Sequence, residues 1–209
     1  MLFKKRHLLL QTDRLDLRLP QLSDHKSWSR LRLESKDFLT PWEPTWTNDH
    51  LLRRPFVNRV NWAKRSMQNG TAIPLFIIGR NDGVLMGAIT LDNIRRGPNQ
   101  TATMGYWIGS PYVRQGFMSE AIVGLVNYAF GALDISRIES ACLPENTPSR
   151  KLLEKCGFKY EGVAQAYIQI DGRWRTHVLY ASIRYDRRGK TDTGAVSYTH
   201  LTLPTILRV

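Results

Sequence analysis

Apolar and polar side chains alternate along Leu15-Asp16-Leu17-Arg18-Leu19, and this period of two predicts a half-buried strand over residues 13–19, ended by Pro20. A helix is expected next, capped by Ser23 or Asp24 and running through Trp28 and Leu31 towards Glu34. The stretch Phe38-Leu39-Thr40-Pro41-Trp42-Glu43-Pro44 holds two prolines, which argue against regular structure and leave an aromatic-rich loop. Residues 51–69 supply another helix, carrying Phe56, Val60 and Trp62.

A meander follows. Residues 73–79 read as a strand, Asn81-Asp82-Gly83 as its turn, and residues 84–91 as the returning strand. A polar connection over 95–99 leads to a third strand at 102–108, and a loop at 109–115 leads to a helix at 118–133. In that helix Ile122, Leu125, Val126, Ala129, Phe130 and Leu133 share one face. Residues 135–142 form a further strand. Thr147-Pro148 starts a helix, as N-cap and first helical residue, which stops at Gly157. Strands at 163–170 and 174–183 flank Asp171-Gly172, a two-residue hairpin signal. Antiparallel pairs combined with one parallel crossover place the chain in the α+β, or mixed α/β, class.

The 209 residues suit one domain, and 42% hydrophobic with 23% charged residues is the composition of a globule with a buried core. The longest apolar stretch, 121–130, is interrupted by Gly124 and Asn127 and is too short to span a membrane. Leu8-Leu9-Leu10 is too short for a signal-peptide core, so the cytoplasm is the expected location. Cys142 and Cys156 lie in apolar patterns and read as small buried hydrophobes, and no metal site is expected. Val196 to Thr205 looks like a translated adaptor sequence. The domain is therefore placed at 1–189, and 190–209 is set aside as a disordered, non-native tail. Lys and Arg outnumber acids by 30 to 18, a net charge of +12 that favours an anionic ligand. The basic residues are scattered, and nothing in them points to a specific nucleic acid.

Candidate chemistry concentrates in Tyr112-Val113-Arg114-Gln115-Gly116-Phe117-Met118-Ser119-Glu120, between a strand and an amphipathic helix. Gly116 permits close backbone approach or a positive φ, and the helix start then presents successive N–H groups and partial positive charge to a pyrophosphate. Arg114 adds a cation. Taken alone, one glycine before a helix is more often a plain turn.

The run Gly116-Phe117-Met118-Ser119-Glu120-Ala121 resembles the acetyl-CoA-binding motif of the GNAT superfamily of acetyltransferases, with Val113 where the general pattern has Gln or Arg. Asn146-Thr147-Pro148-Ser149, followed by Gly157-Phe158, resembles the second motif of the same family. Three further segments resemble the RimJ-type ribosomal-protein-alanine N-acetyltransferases. These are the Pro-Trp-Glu-Pro loop at 41–44, Gly105-Tyr106-Trp107-Ile108-Gly109, and the hairpin from Asp171 to Leu179. The similarity spans about residues 15–183.

The resemblance implies a mostly antiparallel twisted sheet flanked by helices and splayed in its middle to hold acetyl-CoA. It assigns cofactor contacts to Tyr106, Trp107 and Ile108, to Val113, Arg114, Gln115, Gly116, Phe117, Met118 and Ser119, and to Asn146 and Ser149. Ser149 is the candidate proton donor to the departing thiolate. Some relatives carry a Glu where this chain has Thr103, so Glu43 becomes the candidate base or amine-binding group, against its reading as a solvated loop acid. Trp42, Glu43 and Trp174, with Trp46, are candidate acceptor-binding residues, though core packing explains the tryptophans almost equally well. His177 reads as a packed or exposed histidine before a catalytic one. The implied acceptor is a protein N-terminus beginning with Ala or Ser, such as a ribosomal protein, with ribosome association and a monomer or homodimer as possible arrangements. A small amine is the alternative, and a basic ribosome- or RNA-binding factor the third reading.

Overall fold

The computed structural model describes residues 8–187, and the set-aside tail at 190–209 lies outside them. Among the described residues the strands are β1 (Leu8–Gln11), β2 (Leu15–Arg18), β3 (Ile73–Gly79), β4 (Leu85–Asp92), β5 (Thr101–Ile108), β6 (Arg137–Cys142), β7 (Lys159–Ile170) and β8 (Arg173–Ile183). The helices are α1 (His25–Glu34), α2 (Lys36–Leu39), α3 (Arg53–Gln68), α4 (Phe117–Gly131) and α5 (Thr147–Lys155). One sheet holds every strand in the order β1-β2-β3-β4-β5-β6-β8-β7, and each neighbouring pair is antiparallel except β5–β6. That exception is forced, because α4 carries the chain across from the end of β5 to the start of β6.

β3 is buried along its whole length, as a central strand covered on both faces must be. On one face α4 buries Met118, Ala121, Ile122, Leu125, Val126 and Ala129 against β2–β6, while Phe130 and Leu133 pack at the edge of this core. On the other, α1 and α3 enclose a second cluster of Trp28, Leu31, Phe56, Val60, Phe76, Ile78 and Leu85. Phe56, Val60 and Ala63 follow helical spacing, whereas Trp62, two residues from Val60, falls on the outer side and is 38% exposed.

Four local expectations need correction. β1 was not foreseen, since the notable feature of its sequence was a short leucine run rather than alternation. β2 begins at Leu15 because Thr12 and Leu15 close a tight turn, with Thr12 N donating to Leu15 O at 2.9 Å. The aromatic segment is not free of regular structure: α2 is followed by a 3₁₀ turn over Thr40–Trp42. Pro41 sits in the first turn, where its missing N–H has no intrahelical partner to lose. The N-cap of α5 is Asn146 rather than Thr147, its Oδ1 accepting from Ser149 N at 3.1 Å.

Candidate active site

β5 and β6 pair only at Thr101–Arg137, Ala102–Ile138 and Thr103–Glu139. Beyond Thr103 they separate, and Ser140 Oγ, donating to Met104 O at 3.0 Å, occupies the ladder position where pairing stops. β5 meanwhile stays paired with β4 to Ile108, and Gly109 N donates to Met86 O. Since successive residues of a strand direct their main-chain groups to opposite sides, Gly105, Trp107 and Gly109 address β4. Tyr106 and Ile108 therefore direct N–H and C=O into the wedge between β5 and β6. The backbone of Trp107, expected to contribute there, faces the other way.

From Gly109 the chain makes a 3₁₀ turn over Ser110–Tyr112 and enters α4 through Arg114 (φ 59) and Gly116 (φ 82). Two left-handed residues within three positions coil the backbone so that its N–H groups gather on one side. The helical ladder opens with Glu120 N donating to Gly116 O, which leaves the N–H groups of Phe117, Met118 and Ser119 without intrahelical acceptors. Gly116 as N-cap supplies no side chain to cap them. Three of the nearby side chains are committed elsewhere, while Arg114 is exposed. Met118 is buried in the core, Gln115 Nε2 donates to Pro111 O at 2.8 Å, and the Phe117 ring lies under the Arg14 guanidinium at 4.5 Å. What the turn offers a ligand is its main chain, with the exposed Arg114 side chain beside it.

Across the wedge, α5 brings Ser149 Oγ to 2.8 Å from the Tyr106 hydroxyl. Burial pushes the Tyr106 phenol well above its ordinary range, the hydrogen bond to Ser149 acting in the opposite sense, so the phenol stays protonated. Burial also raises the thiol of Cys142, at the end of β6, which keeps it an inert hydrophobe. Asn146 Oδ1 is engaged by its own cap, so its free group is the Nδ2 amide.

Neighbouring residues of a strand face opposite ways, so where Tyr106 meets α5, Trp107 meets α1. Its ring lies 4.7 Å from the Arg32 guanidinium, which is covered on its other contact by Trp46 at 4.3 Å. Arg32, 4% exposed, forms a bidentate pair with Glu43, and Trp46 Nε1 donates to Glu43 Oε2 at 2.9 Å. Both oxygens of Glu43 are thus held by donors. His50 stacks on Trp46 at 4.6 Å with Nε2 3.3 Å from Arg32. A cavity of about 480 Å³ lies beside this box, between Trp46, His50, Lys36 and the hairpin turn residue Asp171. Trp42 is half-buried in its turn, whereas Trp174, at the start of β8 opposite Gln169, is 66% exposed. His177 is buried and bonded through Nδ1 to Arg175 O at 3.0 Å, which resolves it as a packed residue. Sequence reasoning overlooked Arg32, although Trp28, Leu31 and Arg32 share a helical stripe and an arginine on a buried face is a signal.

Burial first, then the Arg32 and Arg59 cations, lowers His50 to about 4, so it is neutral in the folded protein. The unfolded chain takes up a proton near 6.5 that the folded one refuses, so stability falls as pH drops from about 6.5 towards 4. Melting temperatures of wild type should fall relative to those of His50→Gln as pH drops from about 6.5 towards 4, the difference between the two shifting in favour of the variant at the acidic end. A wild-type curve as flat as that of H50Q would count against the neutral assignment.

A wedge between parallel strands suits an extended amide-bearing arm, which Tyr106 and Ile108 can bind like an added strand. The coiled, uncapped entry to α4 suits a diphosphate. The residues present therefore fit coenzyme A, and the fold and site are those of an acyl-CoA-dependent acetyltransferase. The acetyltransferase (GNAT) domain family matches residues 14–159. The chain is 32% identical over 174 residues to the [ribosomal protein uS5]-alanine N-acetyltransferase of Escherichia coli, covering 82% of this chain and 89% of that one. Among solved structures, the ribosomal-protein-S5-alanine acetyltransferase of Vibrio fischeri superposes with a TM-score of 0.79 at 26% identity, covering 86% of this chain and 98% of that one. RimJ of Mycobacterium smegmatis, in complex with CoA-disulfide, gives 0.76 at 31% identity, covering 84% of each chain. The chain belongs to the GNAT acetyltransferase family, and acetyl-CoA is its cofactor. No helix among the described residues is long and apolar enough to cross a membrane.

Proposed function

We propose that this enzyme acetylates the N-terminal α-amino group of a protein whose first residue is Ala or Ser, a ribosomal protein being the leading candidate. The carrying observation is the state of its carboxylates. Thr103 offers none on β5, and both oxygens of Glu43 are held by Arg32 and Trp46. With no carboxylate at Thr103 and Glu43 engaged, the site favours an amine that supplies its own neutral form. An α-amino group, with a pKa of about 8, does so near neutrality, whereas a lysine side chain at about 10.4 does not. The activity named for the E. coli relative supports the same acceptor class.

Acetyl-CoA, when bound, supplies the activated acetyl group. The N–H groups of Val113, Arg114, Gln115, Gly116, Phe117, Met118 and Ser119 form the diphosphate cradle, and Asn146 adds its Nδ2. The N–H groups of Tyr106 and Ile108 orient the thioester arm and stabilise charge developing on the carbonyl oxygen. Ser149, backed by Tyr106, hydrogen-bonds the departing sulfur and conducts to it the proton lost by the amine. Trp42, Trp46 and Trp107 wall the acceptor side, where Glu43 acts as an anchor rather than a base. Trp174, exposed near the tip of the β7–β8 hairpin, meets the acceptor chain further from its terminus. Holding the amine against the carbonyl supplies the remaining rate by proximity.

The test is mass spectrometry of peptides with free Ala or Ser termini, N-blocked peptides with internal lysine, and a panel of small amines. Acetylation at the free termini is expected, with kcat/KM rising through the acceptor's own pKa near 8 in both wild type and Glu43→Gln. Turnover confined to small amines, or a limb in the carboxylate range that E43Q abolishes, would overturn the reading.

A further inference from the structure

The turn between β1 and β2 reaches the back of the cradle. Arg14 Nε donates to Glu120 Oε2 at 2.7 Å, and Arg14 N and Thr12 Oγ1 donate to Glu120 Oε1 at 2.8 and 2.5 Å. Arg14 NH1 donates to Gln115 O at 3.1 Å, and its guanidinium covers the Phe117 ring. A Cβ added at Gly116 would lie 3.3 Å from Arg14 NH2, so the guanidinium packs directly against the left-handed glycine. One turn beyond Glu120 on the same helical face, a Cβ at Gly124 would meet Thr12 Cγ2 at 2.9 Å, which shows how closely α4 is seated on this turn. Arg80 NH1 holds the turn itself through Thr12 O at 2.8 Å.

We infer that Arg14 and Glu120 are positioning residues for the coenzyme A diphosphate, an inference that rests on reading the 113–119 turn as its cradle. In a trans peptide the C=O of one residue and the N–H of the next point in opposite directions. By holding Gln115 O at the back, Arg14 turns the Gly116 N–H towards the ligand side. Glu120 fixes the guanidinium that does this. A carboxylate in the first turn would otherwise set negative charge against a diphosphate at the same helix end. Here burial raises the Glu120 carboxyl, but the hydrogen bonds from Thr12 and Arg14, with the Arg14 charge, outweigh it and hold the group below its ordinary value. The acid stays ionised, neutralised and facing away from the cradle.

Binding of CoA and of S-acetylpantetheine, which lacks the diphosphate, to wild type, Arg14→Ala and Glu120→Gln tests this by calorimetry. Both substitutions should weaken CoA binding about 10-fold, the equivalent of ~1.4 kcal/mol. Binding of S-acetylpantetheine should change less than about 2-fold, a contrast that general loosening of the fold would not give. E120Q decides between position and charge: it frees the guanidinium from its counter-ion, so a purely Coulombic Arg14 would bind CoA more tightly. Tighter binding in E120Q, or equal losses for both ligands, overturns the inference. A wild type that fails to prefer CoA over S-acetylpantetheine sinks the cradle assignment itself. If R14A does not fold, E120Q alone still gives the sign.

Discussion

Arg32→Ala should lower stability by about 3–5 kcal/mol, the usual result of removing one partner from a buried ion pair. Arg32 is 4% exposed, its guanidinium lies against Trp46 and Trp107, and Glu43 loses both of its arginine donors when it goes. The loop from Trp42 to His50 is folded around that one cation, so the acceptor side should loosen with it. A misplacement of about 1 Å typically costs ~10²-fold in rate, and a fall of that order in kcat/KM for the peptide is expected. CoA affinity should hold, because the cradle and wedge lie on other elements. Arg32→Met with Glu43→Leu separates the two effects, since an apolar pair restores stability without the polar anchor. Chemical unfolding and peptide kinetics on both variants are the measurement. If the double variant regains peptide turnover along with stability, the pair serves only the fold.

Ser149→Ala should reduce kcat about 10²-fold, at the low end for loss of a positioned proton-transfer group. CoA affinity should be nearly unchanged, since the Asn146 cap on the Ser149 main-chain N–H survives the substitution. Tyr106→Phe, which removes the hydroxyl 2.8 Å behind Ser149, should cost less and should add little to S149A. Additive losses would mean that the two hydroxyls act independently. An S149A enzyme with wild-type kcat would show that the departing sulfur needs neither.

The strands of the meander were legible because they obey one local rule, uninterrupted apolar runs separated by a glycine turn. β3 was located to the residue. α4 was legible because its buried face repeats over four turns. Helix entry at Asn146 was displaced by one residue, since Asn and Thr are both good caps and only the fold chooses which carbonyl oxygen meets Ser149 N. β1 stayed hidden because Leu8-Leu9-Leu10-Gln11 carries no alternation of apolar and polar positions.

Of the site, the sequence by itself indicated a glycine at 116 suited to close approach or a positive φ, the helix behind it, and a serine in the first turn of α5, each a consequence of spacing within a single segment. Tertiary structure decided everything that depends on two segments meeting. It ended the β5–β6 ladder at Thr103. It brought Tyr106 to Ser149, withdrew Glu43 into the grip of Arg32, and set Arg14 behind a turn about a hundred residues away. The physical reason is that backbone conformation responds to neighbours a few bonds distant, whereas a side chain's partner is whichever group the packed sheet carries to it.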